Sequence, residues 1–228
     1  MYKEGDGLIL YHGSENIIKT PQYKGGRPYN DYGLGFYCTE FPDSGREWAV
    51  TSNHDGYLNS YEFDKTGLSV LDLNDYHILT WLSVLLQNRS FSVDTPLAAE
   101  GKRYLIDNFS VDYEAYDVIE GYRADDSYFS FAQDFINNVI SLDQLKKAMY
   151  LGGLGNQVVL KSEKAFAKIH YLDSEYVDRS IWLEKREKRD AKARDTYFSM
   201  NRDKYVKDAI YIISIIDKEM KPDDSRIQ

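Results

Sequence analysis

Two short strand-forming runs near the start of the chain, Leu8 to His12 and Gly33 to Thr39, are held apart by a stretch suited to neither strand nor helix. Lys19 to Asp31 contains Pro21, Gly25, Gly26 and Pro28, which punctuate the backbone and predict a loop placed to act as a flap over a ligand. The first run ends in His12-Gly13-Ser14, the second carries Gly33-Leu34-Gly35-Phe36-Tyr37, and Trp48 follows shortly after. An imidazole, flexible backbone positions and two large aromatics thus fall within about 40 residues. Such a set can grip a flat, hydroxyl-bearing ligand.

Further along, Asp43 to Ser52 predicts a helix presenting Trp48 and Ala49. Tyr57 to Phe63 and Leu68 to Leu71 read as strands joined by a turn at Asp64 to Gly67. Asn74 is expected to cap a helix with Ile78, Leu79, Leu82, Leu85 and Leu86 on one apolar face, and Leu97 to Asn108 predicts a second helix. Tyr116 to Gly121 reads as a strand leading into Arg123-Ala124-Asp125-Asp126, then a helix over Tyr128 to Asn137. Ser141 starts another helix that stops at Gly152-Gly153. Strands are expected at Asn156 to Lys161 and Ala167 to Leu172. Residues 174–220 read as two helices. The first carries the mixed charge run Glu184 to Asp190, expected on a solvated face, and the second an apolar face through Ile210, Ile213 and Ile216. The expectation is an α+β domain over 1–173 and a helical extension, 174–228, packed back on it.

Composition narrows the function classes. With 43% hydrophobic and 29% charged residues, the chain reads as globular and soluble, and its 20 tyrosines suit ligand walls with a dry body and a wet tip. A net charge of −9 argues against coating nucleic acid through a broad basic surface. The single cysteine, Cys38, excludes an internal disulfide and a multi-cysteine zinc site, and is expected in a buried strand. His54, His77 and His170 are too dispersed for a metal site. The first residues lack a secretory signal, and the apolar run Ala209 to Ile216 is too short to span a bilayer, so a cytoplasmic protein is expected.

The order His-Gly-Ser, then Gly-x-Gly-x-Tyr, an aromatic eleven residues after that tyrosine, and a late strand Asn156-Gln157-Val158-Val159 resembles the ADP-ribosyltransferase fold. It is closest to the His-Tyr-Glu branch that includes diphtheria toxin and the poly(ADP-ribose) polymerases, and within it to an uncharacterised bacterial family of small proteins. The resemblance covers roughly residues 7–172. It implies a split antiparallel β-sheet core with helical insertions, NAD as co-substrate and no metal. By motif, His12 would bond a ribose hydroxyl. The Gly13 backbone would hold the nicotinamide carboxamide, and Tyr37 and Trp48 would sandwich the nicotinamide ring. Ser14 is a further cofactor-binding candidate, and Gly33 and Gly35 let the backbone approach the ligand closely. Arg27 is a candidate for the pyrophosphate.

The chain departs from the branch where a glutamate is usual, because that position holds Gln157. Glutamine keeps an acceptor oxygen but loses the charge that steadies the cationic ribose, a loss on the order of 10²-fold or more in rate. Asp125 and Asp126 are auxiliary candidates to supply it. The implied activity is transfer of one ADP-ribose to a protein or nucleic-acid acceptor, with a catalytically weak NAD- or ADP-ribose-binding module as the alternative. Small bacterial relatives of this kind resemble toxins or effectors held by a small antitoxin-like partner, for which the C-terminal helices are a candidate docking surface.

Overall fold

In the computed structural model, residues 7–124, 126–151, 155–200 and 205–228 are described. Seven strands form one sheet: β1 (Leu8–Ser14), β2 (Phe36–Thr39), β3 (Gly56–Phe63), β4 (Val70–Asp72), β5 (Val118–Tyr122), β6 (Asn156–Leu160) and β7 (Ile169–Val177). Their order is β4-β5-β6-β2-β1-β3-β7, antiparallel except where β4 runs parallel to β5. The eight helices among the described residues are α1 (Pro42–Ala49), α2 (Ile78–Asn88), α3 (Pro96–Phe109), α4 (Asp126–Ile136), α5 (Leu142–Ala148), α6 (Glu163–Phe166), α7 (Arg179–Ser199) and α8 (Ile212–Asp217). The class is α+β, as the sequence predicts.

The sheet is nearly parted in its middle. β3 pairs with β1 along its length, from Leu8 opposite Phe63 to Ser14 opposite Tyr57. β2 pairs with β6 from Phe36 opposite Leu160 to Thr39 opposite Gln157. Between these halves, β1 meets β2 in register only at Tyr11 opposite Thr39, among the described residues.

Alternation divides the strand residues between two cores. Leu10, Phe36, Cys38, Val158 and Leu160 face one side, with Tyr61 and Phe63 of β3. On the other side Ile119 and Val159 meet α2, which is buried without a break from Leu79 to Leu86. A helix buried all round is a core helix, which explains why its apolar residues exceed the single predicted face.

The two strands expected on either side of the turn at Asp64 to Gly67 are present but are not neighbours: β3 already has β1 and β7 on its two sides, so β4 adds to the far edge beside β5. Three local expectations are corrected. His77, not Asn74, caps α2, its Nδ1 accepting from Leu79 N at 3.2 Å; Asn74 lies in a 3₁₀ turn capped by Asp72. β7 runs to Val177, past the expected boundary at 173, because it follows β3 as far as Gly56. In α8, Ile212 and Ile215 enter the core, while Ile213 is 41% exposed. The expected helix stop at Gly152-Gly153 lies outside the described residues.

The C-terminal segment packs on the rest of the chain. Tyr197 of α7 stacks on Phe131 at 3.9 Å and its hydroxyl donates to Asp134 at 2.7 Å. Within the charge run, Arg186 and Arg189 turn inward rather than into solvent. Arg186 donates to the carbonyls of Glu47 and Val50 at 3.2 and 3.1 Å, and Arg189 pairs with the Glu47 carboxylate at 2.9 Å. These bonds cap the last turn of α1, the helix that bears Trp48. Among the described residues, no helix is long and apolar enough to cross a membrane.

Candidate functional site

His12 stands at the parted seam. Its Nδ1 lies 2.7 Å from the carbonyl oxygen of Tyr37, which can only accept, so Nδ1 holds the proton and Nε2 is left as an acceptor. Burial holds its pKa below the usual histidine value, the Tyr37 carbonyl pulling weakly the other way, so the ring is neutral at physiological pH. Phe36 packs against the ring, 4.4 Å between centroids.

Beside His12 opens a cavity of about 480 Å³ under the loop from Ile17 to Asn30, with Lys19, Gly35 and Phe36 in its wall. Asn59 of β3, fully buried, pins the base of that loop. Its Oδ1 accepts from Ile18 N at 2.9 Å, and its Nδ2 donates to His12 O, Ser14 Oγ and Asn16 O at 3.2, 3.1 and 3.3 Å. Tyr61 adds a bond from its hydroxyl to Ile18 O at 2.6 Å. Ser14 spends its own hydroxyl on Asn16 O at 2.6 Å. Arg27 is exposed on the loop and does not line the cavity; Lys19 is the cation in its wall.

Tyr37 is fixed at its far end. Its hydroxyl donates to Gly33 O at 2.6 Å and accepts from Tyr32 N at 3.0 Å, and burial drives its pKa far above the tyrosine norm, so the phenol stays neutral. Gly33 has φ of +72°, a conformation that a side chain would strain, and this turn brings the loop back to the Tyr37 hydroxyl. Gly13 serves packing: a Cβ there would fall 2.0 Å from the Gly45 carbonyl oxygen, so α1 can cross β1 only over a glycine. This seats Trp48 beside the seam. The Arg123 guanidinium lies 4.6 Å from the Trp48 ring centroid, and the buried indole Nε1 finds no hydrogen-bond partner among the described residues.

Gln157 is 3% exposed on β6, opposite Thr39 and therefore on the same face as Tyr37 two residues away. Its Nε2 donates to Asp31 Oδ2 at 3.0 Å and to Tyr122 O at 3.2 Å. Asp31 is 5% exposed and also takes Ala124 N at 2.9 Å and Arg89 Nη1 at 3.1 Å. Burial pushes the Asp31 carboxyl up, while the Ala124 amide, Arg89, Gln157 and Arg123 each pull it down. Tyr32 connects this cluster to Tyr37, for its hydroxyl donates to Tyr122 O at 2.6 Å while its amide reaches the Tyr37 hydroxyl.

The family described as "Protein of unknown function (DUF3990)" matches residues 8–171. The chain belongs to this family. Neither the curated proteins nor the solved structures give a match. The DUF3990 segment holds β1 to β6, α1 to α6 and the start of β7, and so the whole seam; α7 and α8 lie beyond it.

Within this DUF3990 segment, the fold bonds the His12 ring to the Tyr37 main-chain carbonyl and sets the Tyr37 and Gln157 side chains on one face, the His12 ring lying with Phe36 on the other. It seats α1, with Trp48, on Gly13. Asp125 lies outside the described residues, and Asp126 opens α4. The carboxylate that touches Gln157 is Asp31, which sequence reasoning misses because an aspartate in a Gly- and Pro-rich loop reads as a turn former. Asn59 and Arg89 escape it too; a lone asparagine in a strand and an arginine after a helix carry no local signal of burial.

Proposed function

We propose that the seam binds NAD and that the protein releases nicotinamide and transfers one ADP-ribose to a macromolecular acceptor. The observation that carries this reading is the hydrogen bond that ties the His12 ring to the Tyr37 main-chain carbonyl where the sheet parts, with the Tyr37 and Gln157 side chains on one face and the His12 ring, against Phe36, on the other. That arrangement fits the resemblance to the His-Tyr-Glu ADP-ribosyltransferases carried by the sequence motifs. His12 Nε2 is an acceptor for a ribose hydroxyl, the cavity under the loop suits the adenosine and phosphate portion with Lys19 as counter-charge, and Tyr37 and Trp48 offer flat walls to the nicotinamide.

In the reaction the bond from ribose C1′ to the nicotinamide nitrogen breaks, and its electron pair leaves with nicotinamide. Positive charge passes to C1′ and the ring oxygen, as in glycoside cleavage. A lone pair of the acceptor closes the new bond at C1′, and the acceptor's proton passes to solvent. Single transfer is favoured because Gln157 cannot serve as the anion that positions the hydroxyl of a growing polymer. The acceptor is a protein or a nucleic acid. A cytoplasmic toxin or effector held by a small partner fits the one buried cysteine and the small size. A second reading, a module that binds NAD or ADP-ribose without consuming it, is favoured by the uncharged side chain at 157.

The test is incubation of the purified chain with NAD labelled separately on adenylate and nicotinamide, with and without cell extract, beside calorimetric titration. Free nicotinamide together with adenylate label on macromolecules is the expected result. NAD bound but unconsumed transfers the case to the binding module, and no binding at all removes both readings.

A further inference from the structure

We infer that Asp31 and Gln157 work as one unit, the buried carboxylate holding and polarising the glutamine amide so that Gln157 Oε1 serves the ribose in place of an anionic side chain. The inference rests on the NAD reading above. Asp31 is a positioning residue in it, acting through Gln157.

Three features lead there. First, both amide protons of Gln157 have acceptors, Asp31 Oδ2 at 3.0 Å and Tyr122 O at 3.2 Å. The amide is therefore unable to flip, and Oε1 is turned away from them, on the side of the sheet that carries Tyr37 and Thr39. Second, a hydrogen bond from an amide to a carboxylate draws density toward the amide oxygen, and the effect is strong where water is excluded. The negative charge is thereby relayed rather than lost. Third, the pair explains the residue type. A glutamate at 157 would set one carboxylate against another at about 3 Å and against the Tyr122 carbonyl, in place of the two amide donations that Gln157 makes there. With Asp31 in this position, glutamine is the side chain that fits, and Arg89 and the Ala124 amide keep the carboxylate itself in place.

The experiment compares the wild type with Asp31→Asn, Gln157→Glu and the double variant Asp31→Asn/Gln157→Glu. Nicotinamide release gives kcat and KM for NAD, and melting without NAD gives stability. Asp31→Asn is expected to lose on the order of 10²-fold in kcat while KM moves less than about threefold. Gln157→Glu is expected to lose activity at neutral pH and to regain part of it as the pH falls, because one shared proton relieves the two carboxylates. The double variant again carries one charge and recovers at least about tenfold over either single change. Recovery is partial because the charge moves away from Arg89, and the relocated carboxylate faces the Tyr122 carbonyl, to which it cannot donate as the Gln157 amide does. Should Asp31→Asn not fold, Gln157→Asn withdraws the amide by one methylene from an intact Asp31–Arg89 pair and is expected to lose kcat to a similar extent. Gln157→Glu more active than the wild type at neutral pH, or a double variant no better than the worse single, overturns the inference. If the wild type releases no nicotinamide, the NAD reading fails by itself. The melts then decide the pair: non-additive recovery in the double variant upholds it, and additive losses remove it.

Discussion

Replacing Gly13 with alanine tests how α1, and with it Trp48, is seated. The added Cβ would lie 2.0 Å from the Gly45 carbonyl oxygen and 2.6 Å from the Ala49 amide nitrogen, both backbone atoms that no rotamer change can move. To restore ordinary contact at 3.4 Å, α1 has to retreat by about 1.4 Å. That opens its packing against Leu58, Val50 and Val177 and stretches the Arg186 bonds to Glu47 O and Val50 O. Overpacking of this severity costs about 3 kcal/mol. In a chain of this size that corresponds to a fall of roughly 6–12 °C in melting temperature, read by circular dichroism. Gly67→Ala is the control. Gly67 has φ of +75° and nothing within 4 Å of the added atom, so only backbone strain remains, at about 1 kcal/mol. A Gly13→Ala protein that melts within about 2 °C of the wild type, or no lower than Gly67→Ala, refutes the close seat of α1 on β1. On the proposed NAD reading, NAD affinity measured by titration should weaken in parallel, since a displaced α1 carries Trp48 with it.

Other expectations follow from the same contacts. His12 and His77 have pKa values lowered by burial, so the unfolded chain binds protons that the folded one refuses. Their contribution is complete above the ordinary histidine value of 6.5 and is lost as the pH falls through the lowered folded values; melts at pH 7 and pH 5 should differ, and less so in His12→Gln/His77→Gln. Asn59→Ala leaves Ile18 N, His12 O and Asn16 O without that partner and should cost about 2–3 kcal/mol by urea unfolding. Limited proteolysis should then cut first between residues 15 and 30; protection equal to the wild type counts against Asn59 as the anchor. Tyr197→Phe removes the bond to Asp134 and should cost about 1 kcal/mol, whereas Tyr197→Ala also removes the stack on Phe131 and should cost about 3–5 kcal/mol. Two equal, negligible changes would mean that α7 is not docked on α4.

Much of the local structure is legible because local physics decides it. A compact apolar run marks β1 and a β-branched core marks β6, and the capping box of Ser141 and Gln144 starts α5 at the serine that the sequence marks as a helix start. His12 stands out beside Gly13, and Tyr37 and Trp48 as large aromatics that follow it within about 40 residues. The partners of these residues are less legible. Asp31 is 126 residues from Gln157 along the chain, and Asn59 is 47 from His12. Arg186 and Arg189 sit in a charge run whose solvent-facing reading is sound for a lone helix, and only the approach of α1 turns them inward.

Sequence by itself determined which segments become strands and helices, the α+β class, and the residue types gathered at the seam, because propensity, periodicity and turn chemistry act over a few neighbours. Tertiary structure alone decided that β4 joins β5 across the sheet rather than β3, that α2 is buried all round, and that Gly13 makes room for α1. It also decided that the carboxylate beside Gln157 is Asp31. Each of these depends on which surfaces close against one another. A buried charge or a glycine under a helix acquires its meaning only from the atoms packed around it.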